Sequence, residues 1–249
     1  MLIGILVLTG IISGIFASVA GMASIVSYPV LIFLGYPPVM ANILSTGSLV
    51  FSGAGSFFSS YDLIKKNIKV ASVVILSALL GGIFGSYLLL KLPKDNFEHL
   101  VPYFILLSAM LLFISIYSSK KTSLAFEKTK VNYLLLLIVG ILIGTYIGYF
   151  GSGSGLMLVS ILLMILNLPF VEINAIKNVS TLATNVLSFI IYQSAVSIDW
   201  STVIYLGIGM FIGGYIGPKI ILLFPDRKLK IFIAICALGL SVYLFIQNK

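Results

Sequence analysis

Hydrophobic residues along the chain come in long runs separated by short polar stretches: 2–16, 24–34, 39–60, 70–90, 100–117, 131–150, 155–166, 173–194, 202–224 and 229–246. Most approach the roughly 20 residues that a helix needs to cross about 30 Å of hydrocarbon. The runs 24–34 and 155–166 are too short. Each follows small residues, Gly21-Met22-Ala23-Ser24 and Gly151-Ser152-Gly153-Ser154-Gly155, and each ends at proline, Pro37-Pro38 and Pro169. Freed backbone N–H and C=O groups are costly in hydrocarbon, so unwound chain survives there only when buried in protein or lining a wet cavity. The pattern predicts broken helices near the bilayer centre, spanning or re-entrant. The plainer alternative is that the small residues let two helices pack closely.

The two short runs have matching surroundings. At an offset of 132 residues Gly21 meets Gly153, Leu31 meets Leu163, Pro37 meets Pro169, Asn42 meets Asn174, Gly81-Gly82 meets Gly213-Gly214, Gly85 meets Gly217 and Pro93 meets Pro225. One offset that aligns helix-breaking residues over five segments predicts two homologous halves, 1–118 and 131–249, joined by a polar linker at 119–130.

Charge placement orients the halves. If all ten segments change side, every Lys and Arg falls on one face except Lys91, Lys94 and Lys249. Short cytoplasmic loops collect such residues, which predicts a cytoplasmic linker and both termini outside. With eight crossings and parallel halves the same cations would divide almost evenly, so the expectation is an all-α integral membrane protein of two inverted repeats, each of about five hydrophobic segments. Inverted repeats with glycine-interrupted short segments at matching positions point to a secondary transporter with its site between them.

Composition supports the membrane and narrows the chemistry. Of 249 residues 60% are hydrophobic and 9% charged, and the mean hydropathy is +1.18, far from a soluble domain with about a quarter charged residues. The net charge of +8 comes from cations between apolar segments rather than a continuous patch, so no nucleic-acid partner is expected. Ser18-Val19-Ala20 has the spacing of a signal cleavage site, but no basic residue precedes the first run, so that run is expected to be retained. The single cysteine, Cys236, excludes a disulfide scaffold or cysteine metal site. No P-loop, metalloprotease, kinase or nucleophile-elbow pattern occurs; neither an enzyme nor a cofactor is expected.

Where a half-helix restarts, unpaired N–H groups and the positive dipole end favour an anion. The candidate substrate-binding set is therefore Gly21 and Ser24 at the first break and Gly151, Ser152, Gly153, Ser154 and Gly155 at the second. Asn42, Ser45 and Thr46 share one helical face, as do Asn174, Lys177, Asn178 and Thr181, and both faces join the set. Interhelical hydrogen bonding is the competing explanation for these polar residues. Lys177, four residues into an apolar run, is either an anion-binding or gating group or a snorkelling lysine. Glu172, Asp62 and Asp199 are expected at interfaces, as is Trp200. His99, beside Asp95 and Glu98, is a candidate for proton coupling or an interfacial residue.

The first small-residue run, Gly35-Tyr36-Pro37-Pro38 leading into Ala41-Asn42, and their recurrence from Gly148-Tyr149-Phe150-Gly151 through Asn174-Ala175-Ile176-Lys177-Asn178, resemble the sulfite exporter TauE/SafE family of bacterial membrane permeases over essentially the whole chain. The resemblance implies transport of sulfite, sulfoacetate or other small sulfur-containing or organic anions across the bacterial inner membrane. The expected partners are a small anionic substrate and the lipid bilayer, with homodimerisation left open. Two rivals remain: a non-transporting membrane scaffold, and a small-cation permease, which would want acidic residues inside the membrane.

Overall fold

The computed structural model describes residues 2–91, 132–151, 154–223 and 226–247, together with Tyr103, Leu106, Leu107, Met110, Phe113 and Ile114. The run 100–117, apart from those six residues, and the linker 119–130 lie outside the described residues, as do Asp95, Glu98 and His99. The helices are α1 (Leu2–Ala20), α2 (Ser24–Phe33), α3 (Pro38–Ser59), α4 (Tyr61–Lys66), α5 (Ile68–Lys91), α6 (Tyr133–Phe150), α7 (Ser154–Ile165), α8 (Phe170–Gln193), α9 (Trp200–Ile221) and α10 (Asp226–Gln247). No strand occurs among the described residues, and the chain is an all-α membrane protein.

Local chemistry sets the helix ends. Pro37 and Pro169, both with ψ near 150°, cap α3 and α8, where a missing N–H costs nothing because the first helical N–H groups are unpaired anyway. Asn132 caps α6 through the Leu135 N–H, and Asp199 caps α9 through the N–H groups of Ser201 and Thr202. α1 and α6 stop at Gly21 and Gly151, whose φ angles of 72° and 65° are left-handed. Only glycine adopts these without a Cβ penalty.

Burial separates two kinds of helix. α1, α5 and α9 are long and apolar enough to cross a membrane, and their outward faces carry exposed Leu8, Ile12, Leu76, Leu80, Phe84, Ile204 and Ile208. α3 and α8 have the reverse pattern. Asn42, Ser45, Thr46, Ser48, Ser52 and Ser56 of α3, and Asn174, Lys177, Asn178, Ser180, Thr184, Asn185 and Ser188 of α8, are buried. Polar side chains inside a membrane protein turn away from lipid, so α3 and α8 form the interior and the apolar helices its wall.

Glycine registers give the helix directions. A Cβ on Gly10 would lie 2.2 Å from Leu206 O, on Gly14 2.5 Å from Met210 O, and on Gly213 2.1 Å from Ile11 O, so α1 runs parallel to α9 at backbone contact. Likewise a Cβ on Gly144 would meet Ala78 O at 2.2 Å, and on Gly148 Gly82 O at 2.2 Å; α5 runs parallel to α6. At the 132-residue offset α1 corresponds to α6 and α9 to α5, so these two tight pairs are counterparts. Each half packs its first helix on the other half's helix. Small residues at such crossings let backbones approach, which stands in for the missing hydrophobic drive between helices in lipid.

The pair α3 and α8 differs. Gly47 faces the Phe189 ring and Gly53 faces Leu182, so residue numbers run in opposite senses and the two helices are antiparallel. They are counterparts at the same offset. α3 in turn lies along α9, where the Ser48 hydroxyl donates to Val203 O at 3.2 Å and that of Ser56 to Gly214 O at 3.0 Å.

Candidate functional site

The two breaks meet. A Cβ on Gly21 would lie 2.5 Å from Gly155 Cα, and one on Gly155 would lie 2.7 Å from Gly21 Cα. The ends of α1 and α6 and the starts of α2 and α7 therefore converge on one spot. Beside it is a cavity of about 30 Å³, lined by Ala17, Gly21, Ala23, Gly151, Ser154 and Gly155 from the breaks, Leu49, Ser52, Gly53 and Ser56 from α3, and Asn178, Thr181 and Asn185 from α8. That volume holds about one water. Three pairs in this wall are repeat counterparts at the offset of 132: Ala23 with Gly155, Leu49 with Thr181, and Gly53 with Asn185.

Of the candidate residues named from sequence, Gly21, Gly151, Ser154, Gly155, Asn178 and Thr181 line this cavity. Ser152, Gly153 and the side chain of Ser24 lie outside the described residues. Ser154 and Gly155 belong to the first turn of α7 rather than to unwound chain, because the Ser154 hydroxyl donates to Gly151 O at 2.8 Å and closes the turn. α2 begins without a side-chain cap, which leaves its first N–H groups to other partners.

Asn174, Lys177 and Asn178 converge on the end of α1. Lys177 Nζ donates to Ala17 O at 2.9 Å and to Ser18 O at 3.1 Å, and the amides of Asn174 and Asn178 donate to Ser18 O at 2.8 and 3.1 Å. These carbonyls belong to the last turn of α1, where helical donors run out; Ala17 O also accepts from the Gly21 N–H at 2.8 Å, and side chains of α8 supply the other bonds. Lys177 is fully buried, which corrects the snorkelling alternative. Its cation sits at the negative end of the α1 dipole, and its stem passes Gly155, where an added Cβ would lie 3.1 Å from Cδ. It makes no ion pair among the described residues.

The counterparts in α3 face the second break less completely. Thr46 and Asn42 abut Gly151, whose Cβ would lie 2.3 Å from Thr46 Oγ1 and 3.7 Å from Asn42 Oδ1. The Thr46 hydroxyl donates to Asn42 O at 2.9 Å, and Ser45 pairs with Ser27 at 2.9 Å. Both amide atoms of buried Asn42 lack a hydrogen-bond partner among the described residues, as does Asn185 Oδ1 in the cavity wall. Unsatisfied buried amides are uncommon and call for an explanation. The residue pattern had not singled out Leu49, Ser52, Gly53 or Ser56; mapping the candidate α8 face back by the repeat offset would have reached the first of them.

Glu172 lies in the first turn of α8 and Asp199 at the N-cap of α9. Glu172 is buried and accepts from Lys66 Nζ at 2.5 Å and Asn67 Nδ2 at 2.9 Å, partners that sequence spacing did not indicate. Asp199 accepts from the Tyr36 hydroxyl, a bond that holds its carboxyl below the ordinary range, while burial and this carboxylate push the Tyr36 phenol up.

Comparison with known proteins places the chain in a family. The family model described as sulfite exporter TauE/SafE matches residues 6–244. A probable membrane transporter protein of Haemophilus influenzae is 27% identical over 228 residues, 89% of this chain and 86% of that protein. The probable membrane transporter protein YdhB of Bacillus subtilis is 26% identical over 92% of this chain and 93% of its own. The probable membrane transporter protein YfcA of Escherichia coli K12 is 21% identical over the whole chain and 91% of its own. No solved structure matches. With a family match from the first helix to the last, the chain belongs to the sulfite exporter TauE/SafE family and is a membrane transporter.

Proposed function

We propose that the protein is a secondary permease for a small anion, of the sulfite, organosulfonate or related organic kind, bound between two inverted repeats, 1–118 and 131–249, and carried by alternating access. The observation that carries this reading is the meeting of Gly21 with Gly155 beside a cavity whose wall pairs repeat-equivalent residues. The antiparallel crossing of α3 and α8 supports an inverted relation. The starts of α2 and α7 bring N–H donors and positive dipole ends to that cavity, the Asn42 and Asn185 amides are available beside it, and Lys177 supplies a cation just behind the wall. A water-sized cavity does not hold an oxyanion with its three or more oxygens, so this is a closed conformation and binding requires the halves to move apart.

The basic face, with Lys65, Lys66, Lys69, Lys219, Arg227 and Lys228, would be cytoplasmic in a bacterial inner membrane, with the 119–130 linker on the same side and the termini opposite. A small-cation permease is the second reading. It is favoured by the hydroxyls of Ser52, Ser56 and Thr181 in the cavity wall, which donate to backbone carbonyls and so keep their oxygens as acceptors. The lack of a carboxylate in that wall, and Lys177 behind it, weigh against that reading. Flux into proteoliposomes of sulfite, sulfoacetate, small carboxylates and monovalent cations distinguishes the two: saturable uptake of an anion is expected, and saturable uptake of cations alone would overturn the proposal.

A further inference from the structure

Two polar clusters tie the halves together at opposite ends of α8. At its start, the buried Glu172 carboxylate of the second half accepts from Lys66 and Asn67 of the first, at the α4–α5 junction. Just past its other end, Asp199 of the second half accepts from Tyr36 of the first, which precedes α3. Thr202 completes this cluster, its hydroxyl 2.8 Å from Tyr36 OH and 3.0 Å from Asp199 Oδ2. The 24 residues of α8 separate the clusters by about 36 Å, with the cavity-lining Asn178, Thr181 and Asn185 between them.

The clusters are related by the repeat. Asn67 and Asp199 are counterparts at the offset of 132, each immediately before the parallel-packed helix of its half, α5 or α9. In both clusters this position bonds across to the entry of the central helix of the opposite half: Asn67 to the first turn of α8, Asp199 to the residue before Pro37-Pro38 and α3. A device present once per half and joined to the other half each time is what two gates exchanged by an inverted repeat require.

We propose that Lys66–Glu172–Asn67 and Tyr36–Asp199–Thr202 are the two gates of the transport cavity, the first on the basic face and the second on the opposite face, and that one opens while the other stays shut. The proposal rests on the permease reading. Both are closed here, in keeping with the small cavity. Their chemistry suits reversible opening: Lys66 is 66% exposed and Asp199 is exposed, so water replaces the lost contacts and neither gate is a deeply buried charge pair that would be hard to separate. They differ in kind. The first contains an ion pair that salt screens, and the second a hydroxyl–carboxylate bond that salt affects less.

The test uses sided accessibility rather than flux. In a Cys236→Ser background, Leu49→Cys places a thiol in the cavity wall, and membrane-impermeant maleimide is applied to vesicles of either orientation. Glu172→Gln or Lys66→Gln is expected to raise labelling from the basic face roughly three- to tenfold, with the other face unchanged. Tyr36→Phe is expected to raise it from the opposite face alone. Lys66 is largely exposed, so Lys66→Gln keeps the basic-face arm readable if Glu172→Gln does not fold. Unchanged labelling in all variants, or an equal rise from both faces, would overturn the gates. Sided labelling in a protein that carries no anion would leave the gates standing and remove the permease reading; anion flux with unsided labelling would do the reverse.

Discussion

At the scale of single residues, the buried polar groups divide by what they bond. Lys177, Asn174 and Asn178 bond carbonyls in the last turn of α1, and Lys177→Met removes two of these bonds while Ser18 O keeps both amides and Ala17 O keeps the Gly21 N–H. The substitution is expected to lower stability by about 0.5–1.5 kcal/mol, read as a fall in the thermal unfolding midpoint in detergent. The Asn42 amide has no such partner among the described residues, and Asn42→Leu is expected to leave stability within about 0.5 kcal/mol of wild type. Asp199 gives a pH dependence with a definite sign. Its folded-state carboxyl lies below the ordinary range chiefly through the Tyr36 hydroxyl, so the stabilisation is present above the ordinary carboxylate range and is lost as pH falls through the lower, folded value. Tyr36→Phe should return the Asp199 titration toward the ordinary range, measured by carboxyl ¹³C NMR. Lys177's partners were not legible in the sequence, because spacing shows which residues share its helical face and not which broken helix end lies opposite. The Glu172–Lys66 pair, 106 residues apart, was hidden for the same reason.

At the scale of helices the sequence was highly legible. The predicted runs 39–60, 70–90, 155–166 and 202–224 became Pro38–Ser59, Ile68–Lys91, Ser154–Ile165 and Trp200–Ile221, because length, proline and glycine fix helix ends locally. Packing partners were less so: the glycines of α5 and α9 stood out as aligned positions of the repeat, but not as the surface that seats the first helix of the other half. That exchange makes the glycines sensitive to volume. Gly144→Val and Gly213→Val, each driving a Cβ to within about 2.2 Å of a facing carbonyl, are expected to cost about 1–3 kcal/mol or more. Gly4→Val, at an open exposed position, should change stability by less than about 0.5 kcal/mol. Paired unfolding midpoints of the three variants check this contrast.

At the scale of the whole molecule, the 132-residue offset organises both the scaffold and the cavity. It pairs α1·α9 with α6·α5, crosses α3 with α8, and brings Leu49 opposite in role to Thr181 and Gly53 to Asn185. These last pairs also carry the asymmetry: one half offers Thr181 and Asn185 where the other offers Leu49 and Gly53. A solute in the cavity would therefore meet amide side chains from α8 and only the hydroxyls of Ser52 and Ser56 from α3, a division that the repeat alone did not announce. The account stands on the cavity between the breaks being the place where solute is held. Saturable uptake of sulfite into proteoliposomes, compared between wild type and a folded Asn185→Leu variant that removes the polar amide from the cavity wall, tests this most directly. The account expects saturable uptake by wild type and at least a tenfold loss in the variant at unchanged thermal stability; equal uptake by the two proteins would contradict it.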